Sequence, residues 1–242
     1  MTLWGIGSGI ARATLDVLLP VDCPGCGTPR TSGAPPGLCV RCERRCQQRT
    51  PFLVSPQLDP GIPIMVSGPY GGVHREVVLG AKEWSRRDAS AVCGALMTGV
   101  FRWACMNGYL PDPRVVPWVL VPAPTTRQSS RQRGGDVVTR WCRTTAASVP
   151  GVVVVAPVLR SAGAKRDQVG LSAAARRDNV SGSVEINRRE WCRYADWVHD
   201  VGDCRVVVVD DVVTTGSTYA ESVLVLRAQG WRPAMGVALC RA

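Results

Sequence analysis

Two acidic residues followed by a run of hydroxyls lie near the C-terminus. Residues 205–218 read RVVVVDDVVTTGST, so an apolar run leads directly into Asp210 and Asp211 and then into a short polar turn. The two carboxylates could accept hydrogen bonds from vicinal sugar hydroxyls, or hold Mg²⁺ directly or through water. The turn opens a helix, where free backbone amides and the positive end of the helix dipole attract a phosphate. A ribose that carries a 5′-phosphate would satisfy both halves of the motif.

The hydroxyl-rich turn has the composition of a phosphate cradle, because its glycine lets the backbone approach a ligand and its side chains add donors. The cradle comprises Thr214, Thr215, Gly216, Ser217 and Thr218. It lacks the GK[ST] of a nucleotide P-loop and the GxGxxG of a dinucleotide fold. A receiver-type acidic pair is disfavoured, because this strand is nearly the last one. The plain alternative is an α/β turn with good capping residues and no ligand.

Four of the eleven cysteines have the spacing of a zinc site. They are Cys23, Cys26, Cys39 and Cys42, which form two CxxC pairs separated by twelve residues. Two such turns complete a tetrahedral sulfur shell at about 2.3 Å from zinc, and with four protein ligands the metal would be structural. A redox CxxC or a set of free cysteines is the alternative. Cys46 is close enough in sequence to replace one of the four ligands.

Apolar runs alternate with helical spacing along the rest of the chain. The predicted strands are 115–124, 151–158, the run that opens the acidic motif, and 235–240. Helices are predicted from about residue 72, over 135–148, and after the hydroxyl turn, where Gly230 marks a C-terminal cap. Residues 50–69 carry five prolines, which favours an extended connector or an edge strand. This alternation predicts a parallel sheet covered on both faces, with ligands beyond the carboxyl ends of its strands.

The chain is strongly basic. Its 242 residues include 29 Lys and Arg against 19 Asp and Glu, for a formal net charge of +10. Such a charge favours an anionic partner, namely nucleic acid, a phosphorylated substrate or a membrane surface. Only Lys82 and Lys165 are lysines, so the excess of arginine could equally reflect genomic base composition. The densest charge follows the second cysteine pair, at Arg41, Arg44, Arg45 and Arg49.

The first twenty residues do not have the organisation of a signal peptide. They lack a basic n-region, and Arg12 and Asp16 interrupt the apolar run. The apolar positions Leu3, Ile6, Ile10, Leu15 and Leu18 predict an amphipathic helix that packs on another surface. We expect no membrane span in the chain, and we expect the protein to be soluble and cytoplasmic.

The motif VVVVDDVVTTGST is similar to the phosphoribosyl pyrophosphate motif of type I phosphoribosyltransferases. Together with the cysteine framework, the chain resembles the ComF family, competence-associated proteins with a zinc ribbon ahead of a phosphoribosyltransferase domain. The segments YGGVHREVVLGAK, VPAPTTRQSSRQRGG and DQVGLSAAARRDNVSGS are also similar to that family. The resemblance implies an α/β fold, with a type I phosphoribosyltransferase-like parallel sheet flanked by helices and a small N-terminal zinc-ribbon module. We expect an N-terminal helix over 1–20, the zinc-ribbon module over 21–49 and the phosphoribosyltransferase-like domain over 66–242.

The resemblance also implies roles for individual residues toward phosphoribosyl pyrophosphate and Mg²⁺. Asp210 and Asp211 would bind the ribose hydroxyls, and the five cradle residues would bind the 5′-phosphate. The pyrophosphate-loop candidates are Arg127, Arg131 and Arg133. The candidates in a flexible covering loop are Gln168, Arg176, Arg177 and Asn179. Where the family has RGFNQ this chain has RGGDV, which leaves the acceptor site undefined.

Three functions are compatible with these residues. The first is transfer of ribose 5-phosphate to a nitrogenous acceptor, with loss of pyrophosphate, in a DNA-uptake or DNA-metabolism context. The second is a nucleic-acid-binding competence or recombination factor whose partners are single-stranded DNA or DNA-processing proteins. The third is a sensor that binds phosphoribosyl pyrophosphate without turnover. No acceptor base is evident, because His74 and His199, the two histidines, are expected to be packing or surface residues.

Overall fold

The structure, a computed structural model, describes residues 22–30, 37–124, 136–162 and 182–242. Its eight strands are β1 (Phe52–Val54), β2 (Ile64–Pro69), β3 (Trp118–Pro122), β4 (Val153–Val155), β5 (Leu159–Ser161), β6 (Val184–Ile186), β7 (Arg205–Val213) and β8 (Pro233–Arg241). Its six helices are α1 (Val40–Gln47), α2 (Gly72–Lys82), α3 (Arg87–Met106), α4 (Val137–Ser148), α5 (Arg188–Val201) and α6 (Ser217–Ala228). The chain described is therefore a mixed α/β protein.

Six strands form one mostly parallel sheet in the order β1-β2-β8-β7-β3-β4, and β5 and β6 form a separate antiparallel pair. In the large sheet only the edge strand β1 is antiparallel to its neighbour, with Phe52 opposite Val66. β7 is central and pairs with β3 on one side and β8 on the other, and both ladders are parallel. The predicted parallel sheet is confirmed, and residues 50–69 supply both an edge strand and the inner strand β2.

The run of four valines is buried because it crosses the middle of the sheet. Val207 and Val209 belong to a core under α2, α3 and α4, while Val206 and Val208 belong to a core under α6 on the other face. A strand that is covered on both faces must be apolar at every position, whereas a strand with one wet face alternates. This burial explains why the sequence shows a continuous run and no period of two.

Helix α6 ends as its sequence predicts. The amide of Gly230 donates to the carbonyl of Arg227 at 3.0 Å, and the amide of Trp231 donates to Leu226 at 3.0 Å. Gly230 has a φ of +85°, a left-handed conformation that glycine adopts without strain. The predicted C-terminal cap is confirmed.

The helical region predicted from about residue 72 is confirmed, but it contains two helices, because α3 follows α2 after a short break in which Ser85 has a φ of +51°. Helices α1 and α5 and the strand pair β5 and β6 were not predicted. α5 has no fully buried residue, and it contacts the sheet through a few large side chains, including Trp191, whose ring lies 4.7 Å from that of Trp231. α5 is strongly amphipathic, but its many charged residues make it polar on average, so it does not stand out in the sequence as an apolar segment.

Within the described residues, one helix is long and apolar enough to cross a membrane. It is α3, with 20 residues and a mean hydropathy of 1.3 over its most apolar stretch. Half of that stretch is buried inside the fold, and Met97 and Phe101 are fully enclosed by the core. A helix in the core of a folded protein passes the same test of length and hydropathy, so this helix is weak evidence for a span. The cytoplasmic location stays a prediction.

The cysteine-rich module packs against the same core as α2 and α3. Cys23 and Cys42 are buried in that core beside Val73 of α2. Gly25 fits because a side chain there would come within 2.9 Å of Leu38 and Val73. The limits of the predicted units at 21–49 and 66–242 stay predictions, and the predicted helix at 1–20 lies outside the described residues.

Candidate functional site

The acidic pair lies within β7, at the point where the neighbouring strand has ended. The last residue pair between β3 and β7 is Pro122 with Val209, and the amide of Ala123 still donates to Val209 at 2.7 Å. β7 continues for four residues and pairs only with β8, as far as Val213. Asp210 and Asp211 therefore lie at the carboxyl edge of β3, in the crevice where open α/β sheets bind ligands.

Asp211 forms an ion pair with Lys82, the last residue of α2. Both side chains are largely buried, with 26% of Lys82 and 12% of Asp211 exposed. One carboxylate oxygen of Asp211 also accepts the amide of Val212 at 2.6 Å. The ion pair holds one of the two acids in a fixed position and joins α2 to the central strand.

Asp210 has a different environment from its neighbour. Burial, together with the adjacent charge of Asp211, raises the pKa of the Asp210 carboxyl well above its ordinary value. Its Oδ1 accepts the amide of Asp211 at 2.8 Å, which opposes that rise. A carboxyl in this state gains from any cation or hydroxyl donor that approaches it.

The hydroxyl turn connects β7 to the N-terminus of α6. Gly216 has a φ of +86°, and a side chain there would come within 2.6 Å of Pro56 and of the Leu58 carbonyl. The turn is held from behind, because the amide of Leu58 donates to the carbonyl of Thr215 at 2.9 Å. Thr215 and Ser217 hydrogen-bond each other through their hydroxyls at 3.1 Å. The five predicted cradle residues are therefore brought together at one helix N-terminus.

Helix α6 is fixed to the sheet by its first turn. The hydroxyl of Tyr219 donates to the carbonyl of Val237 on β8 at 2.8 Å. Its ring fits because position 236 is glycine, where a side chain would come within 2.6 Å of the ring. This contact fixes the first turn of α6 on the sheet, next to the predicted cradle.

The arginine-rich segment after β3 begins beside the acidic pair. The pyrophosphate-loop candidates Arg127, Arg131 and Arg133 lie outside the described residues. The chain is described again at Asp136, which caps α4 by accepting the amide of Val138 at 3.1 Å and the Thr139 hydroxyl at 2.6 Å. Asp136 stands where the pattern RGFNQ has an asparagine. In this structure it is the N-terminal cap of α4.

The segment between β5 and β6 holds the other loop candidates, Gln168, Arg176, Arg177 and Asn179, which also lie outside the described residues. Its two ends are close together, because Ser161 pairs with Val184 and the amide of Ala162 donates to Ser183 at 2.8 Å. Ser183 in turn donates through its amide and its hydroxyl to Glu221 of α6, at 2.9 and 2.6 Å. The base of this segment is thus fixed to the helix that carries the cradle.

The four paired cysteines form one cluster. The sulfurs of Cys23, Cys26, Cys39 and Cys42 all lie within 4.8 Å of one another. The amides of Gly25 and Cys39 donate to the sulfur of Cys23, at 3.4 and 3.2 Å. Four thiols with donors on one sulfur are a donor set that fits a structural zinc ion. The predicted ligand set is brought together in space, and it can bind a metal such as zinc.

The thiols of this cluster differ in acidity. The hydroxyl of Thr28, at 3.1 Å from the sulfur, lowers the pKa of Cys26 to about 6. Burial raises the pKa of Cys42, and burial also raises that of Cys46. Cys46 is not a member of the cluster among the described residues. It packs on the adjacent core, so the geometry favours the two CxxC pairs as the ligands.

The basic residues after the second cysteine pair lie on and next to α1. Arg41, Arg44, Arg45 and Arg49 are all exposed. Arg45 and Arg49 also line a cavity of about 660 Å³, together with Gly71, Gly72 and His74 at the start of α2. We call these four exposed residues the arginine surface.

Neither histidine is placed as a base for the candidate site. His74 is buried, with Nε2 at 3.1 Å from the hydroxyl of Ser67, and burial lowers its pKa. His199 is exposed near the end of α5 and lines a cavity with Arg205 and Pro233, at the starts of β7 and β8 and away from the acidic pair. The described residues of the site are therefore acids, hydroxyls, backbone amides and one lysine.

The role of Lys82 was missed by sequence reasoning. It belongs to a segment singled out for its resemblance to a family pattern, but nothing in the sequence pairs it with an acid far along the chain.

A comparison with protein-family models gave no match, and a comparison with curated proteins gave none either. The site is therefore described by its own geometry.

Proposed function

We propose that this protein binds phosphoribosyl pyrophosphate with Mg²⁺ in a domain of the type I phosphoribosyltransferase kind, preceded by a zinc ribbon as in the ComF family. One observation carries the proposal: Asp210 and Asp211 extend past the end of β3, and the same strand leads into a hydroxyl turn at the N-terminus of α6. Acids for a sugar diol and a cradle for its phosphate are thus adjacent. The two acids are negative and the N-terminus of α6 is positive. This arrangement suits a ligand with hydroxyls at one end and phosphates at the other.

The reaction that fits such a ligand is transfer of ribose 5-phosphate to a nitrogenous acceptor. The bond between ribose C1 and the pyrophosphate oxygen would break, pyrophosphate would leave with the bonding electrons, and a bond from the acceptor nitrogen to C1 would form. Mg²⁺ would supply charge neutralisation for the leaving group. Asp210 and Asp211 would orient the ribose, and Lys82 would keep Asp211 in place. The amides at the start of α6 would hold the phosphate.

Thermal shift tests the binding step. We expect phosphoribosyl pyrophosphate with Mg²⁺ to raise the melting temperature, since a ligand at 100 times its dissociation constant adds about 2.7 kcal/mol of stability. Asp210→Asn should lose most of this shift, because an amide binds the cation poorly. Asp200→Asn is the matched control, since Asp200 is exposed at the far end of α5. A full shift in Asp210→Asn would mean that the acid does not contact the ligand.

Pyrophosphate release separates an enzyme from a sensor. The wild-type protein is incubated with phosphoribosyl pyrophosphate, Mg²⁺ and each of a panel of nucleobases, and released pyrophosphate is measured. Release that depends on one base identifies the acceptor class. A ligand-induced thermal shift without release for any base would instead support a regulatory protein that binds this ligand.

A second candidate function is binding of single-stranded nucleic acid in DNA uptake or DNA metabolism. The observation that favours it is the arginine surface. Three of its arginines are exposed on α1, the helix that carries Cys42, and the fourth follows the end of that helix. Arginine binds phosphate with two parallel hydrogen bonds, so such a surface suits a polyanion. The salt dependence of single-strand affinity tests it, and no change of affinity between low and high salt would exclude phosphate contacts as its basis.

A further inference from the structure

An apolar groove runs between the cysteine-rich module and α3. It has a volume of about 570 Å³, and α1 and the residues before it form one wall. The other wall is a stripe along α3, made by Val92, Ala95, Leu96, Gly99 and Trp103. These positions follow the spacing i, i+3, i+4, i+7 and i+11, so they lie on one face of the helix. Val92, Leu96 and Trp103 are half-buried against the core, Ala95 and Gly99 are exposed, and the outer side of the stripe is an apolar surface.

We propose that the N-terminal segment of this chain, residues 3–18, packs into the groove as an amphipathic helix. Its apolar positions have helical spacing, and they require a surface to cover them. The stretch from Ile6 to Leu18 would be about 18 Å long as a helix, and the stripe from Val92 to Trp103 is about 17 Å long. The segment therefore matches the stripe in length, and the stripe and the helical face that would cover it are both apolar. The opposite wall also carries the charged residues Arg30, Glu43 and Arg49.

The described chain begins, after the segment, at the start of α3, the helix that carries the stripe. Asp22 is held at the start of α3, because the guanidinium of Arg86 donates to its carbonyl at 3.0 Å and contacts its carboxylate at 2.9 Å. Arg86 also binds Asp88 at 2.8 Å, in the first turn of α3. A segment that ends at this point and follows the stripe runs antiparallel to α3. Leu18 then lies near Val92.

The middle of the stripe has room for a second helix. Ala95 is small, and no described atom lies within 4 Å of the position that a Cβ would take at Gly99. Small residues in a helix face let a neighbouring backbone come close, as in the tightest helix pairs. The larger Leu96 and Trp103 flank this gap and would pack on either side of the incoming helix.

Trypsin cleavage of the full-length protein after Arg12 tests the proposal. Arg12 is the only Lys or Arg among residues 1–20, so loss of the first twelve residues, seen by intact-mass analysis, reports on this segment alone. Cleavage requires local release of the segment, and its rate therefore follows the population of the released state. We expect slow cleavage in the wild type and cleavage about tenfold faster or more in Gly99→Glu, which places a charge in the groove.

Two matched controls keep the result specific. Met106→Glu places the same charge at an exposed site near the end of α3 and should cleave at the wild-type rate. Within the segment, Ile10→Asp should accelerate cleavage, whereas Ser8→Asp should not. Unchanged melting temperature and zinc content show that each variant is folded. Equal rates for Gly99→Glu and Met106→Glu overturn the proposal.

The experiment also distinguishes other occupants of the groove. A second copy of the chain would make the protection of Arg12 rise with protein concentration, and this outcome overturns packing within one chain. A lipid surface would protect Arg12 only when anionic vesicles are added, and this outcome overturns the proposal as well. Protection that is independent of both, and that is abolished in Gly99→Glu, supports it. None of these results depends on phosphoribosyl pyrophosphate binding.

Discussion

Lys82 and Asp211 form an ion pair that joins the end of α2 to the central strand of the sheet. The other end of α2 contacts the cysteine-rich module, where Val73 lies close to Gly25. A single helix of eleven residues thus connects the cysteine cluster to the acid that would bind the ribose. The position of Asp211 therefore depends on how α2 is held.

Replacing Lys82 tests this connection. In Lys82→Met the carboxylate of Asp211 loses its counter-charge, next to the carboxyl of Asp210. We expect a loss of about 1–3 kcal/mol in the free energy of unfolding, between the values typical of surface and buried pairs. Arg75→Met, at an exposed pair on the same helix, should change stability by less than about 0.5 kcal/mol. Urea denaturation of the two variants measures the difference, and equal stability would mean that the Lys82 pair contributes nothing.

The raised pKa of Asp210 predicts a specific dependence of stability on pH. The folded state binds the Asp210 proton more tightly than the unfolded state, in which the pKa is about 3.9. Stability should therefore fall as pH rises from about 4 through the raised pKa. Asp210→Asn removes this penalty, so the variant should be more stable than the wild type at pH 7 in the absence of ligand.

The difference between the two proteins should shrink as pH falls toward about 4 and vanish below it, where the wild-type carboxyl is protonated in both states. Melting curves at a series of pH values, recorded for both proteins, measure this difference. Loss of metal at low pH affects both alike and does not enter the difference. An Asp210→Asn variant that is less stable than wild type at pH 7 would contradict the burial argument.

Local chemistry explains why the sequence was sufficient for some features. A run such as Val206–Val209 has one place in an α/β fold, since only a central strand is covered on both faces. The hydroxyl turn with Gly216 and the two CxxC pairs are also local, because their spacing alone brings the functional atoms together. Each could be placed from one short stretch of consecutive residues.

Other features depend on residues that are distant in sequence. The pairing of Lys82 with Asp211 and the bond from Ser183 to Glu221 follow from how α2 and α6 lie on the sheet. α5 was missed because charged residues make it polar on average, although one of its faces is apolar and packs on the core. The acidic pair was expected after the strand, but β7 continues through it, because β8 still offers a pairing partner there.

The cysteine cluster predicts a metal dependence with an internal control. Purified protein should contain about one zinc ion per chain, and Cys39→Ser should lose it, since three thiols bind zinc much more weakly than four. Cys46→Ser should keep the metal, because Cys46 is outside the cluster. Elemental analysis measures the zinc, and melting curves should show that only Cys39→Ser is destabilised. Zinc that is absent from Cys46→Ser and retained in Cys39→Ser would assign the fourth ligand to Cys46.

The arginine surface makes the last prediction, which separates local contacts from overall charge. Arg44 and Arg45 are adjacent and exposed on α1, and Arg188 and Arg189 are adjacent and exposed at the start of α5. Reversing either pair to glutamate changes the net charge by the same amount, so any long-range effect is shared.

If single-stranded DNA binds the arginine surface, Arg44→Glu with Arg45→Glu should weaken binding about tenfold or more. It should also reduce the slope of log affinity against log salt by roughly 0.7 for each phosphate that the protein no longer neutralises. Fluorescence anisotropy of a labelled oligonucleotide across a salt series measures both quantities. Arg188→Glu with Arg189→Glu should leave the slope at the wild-type value. An equal decrease of affinity in the two double variants would show that the DNA responds only to net charge, and that the cysteine-rich module has no binding surface of its own.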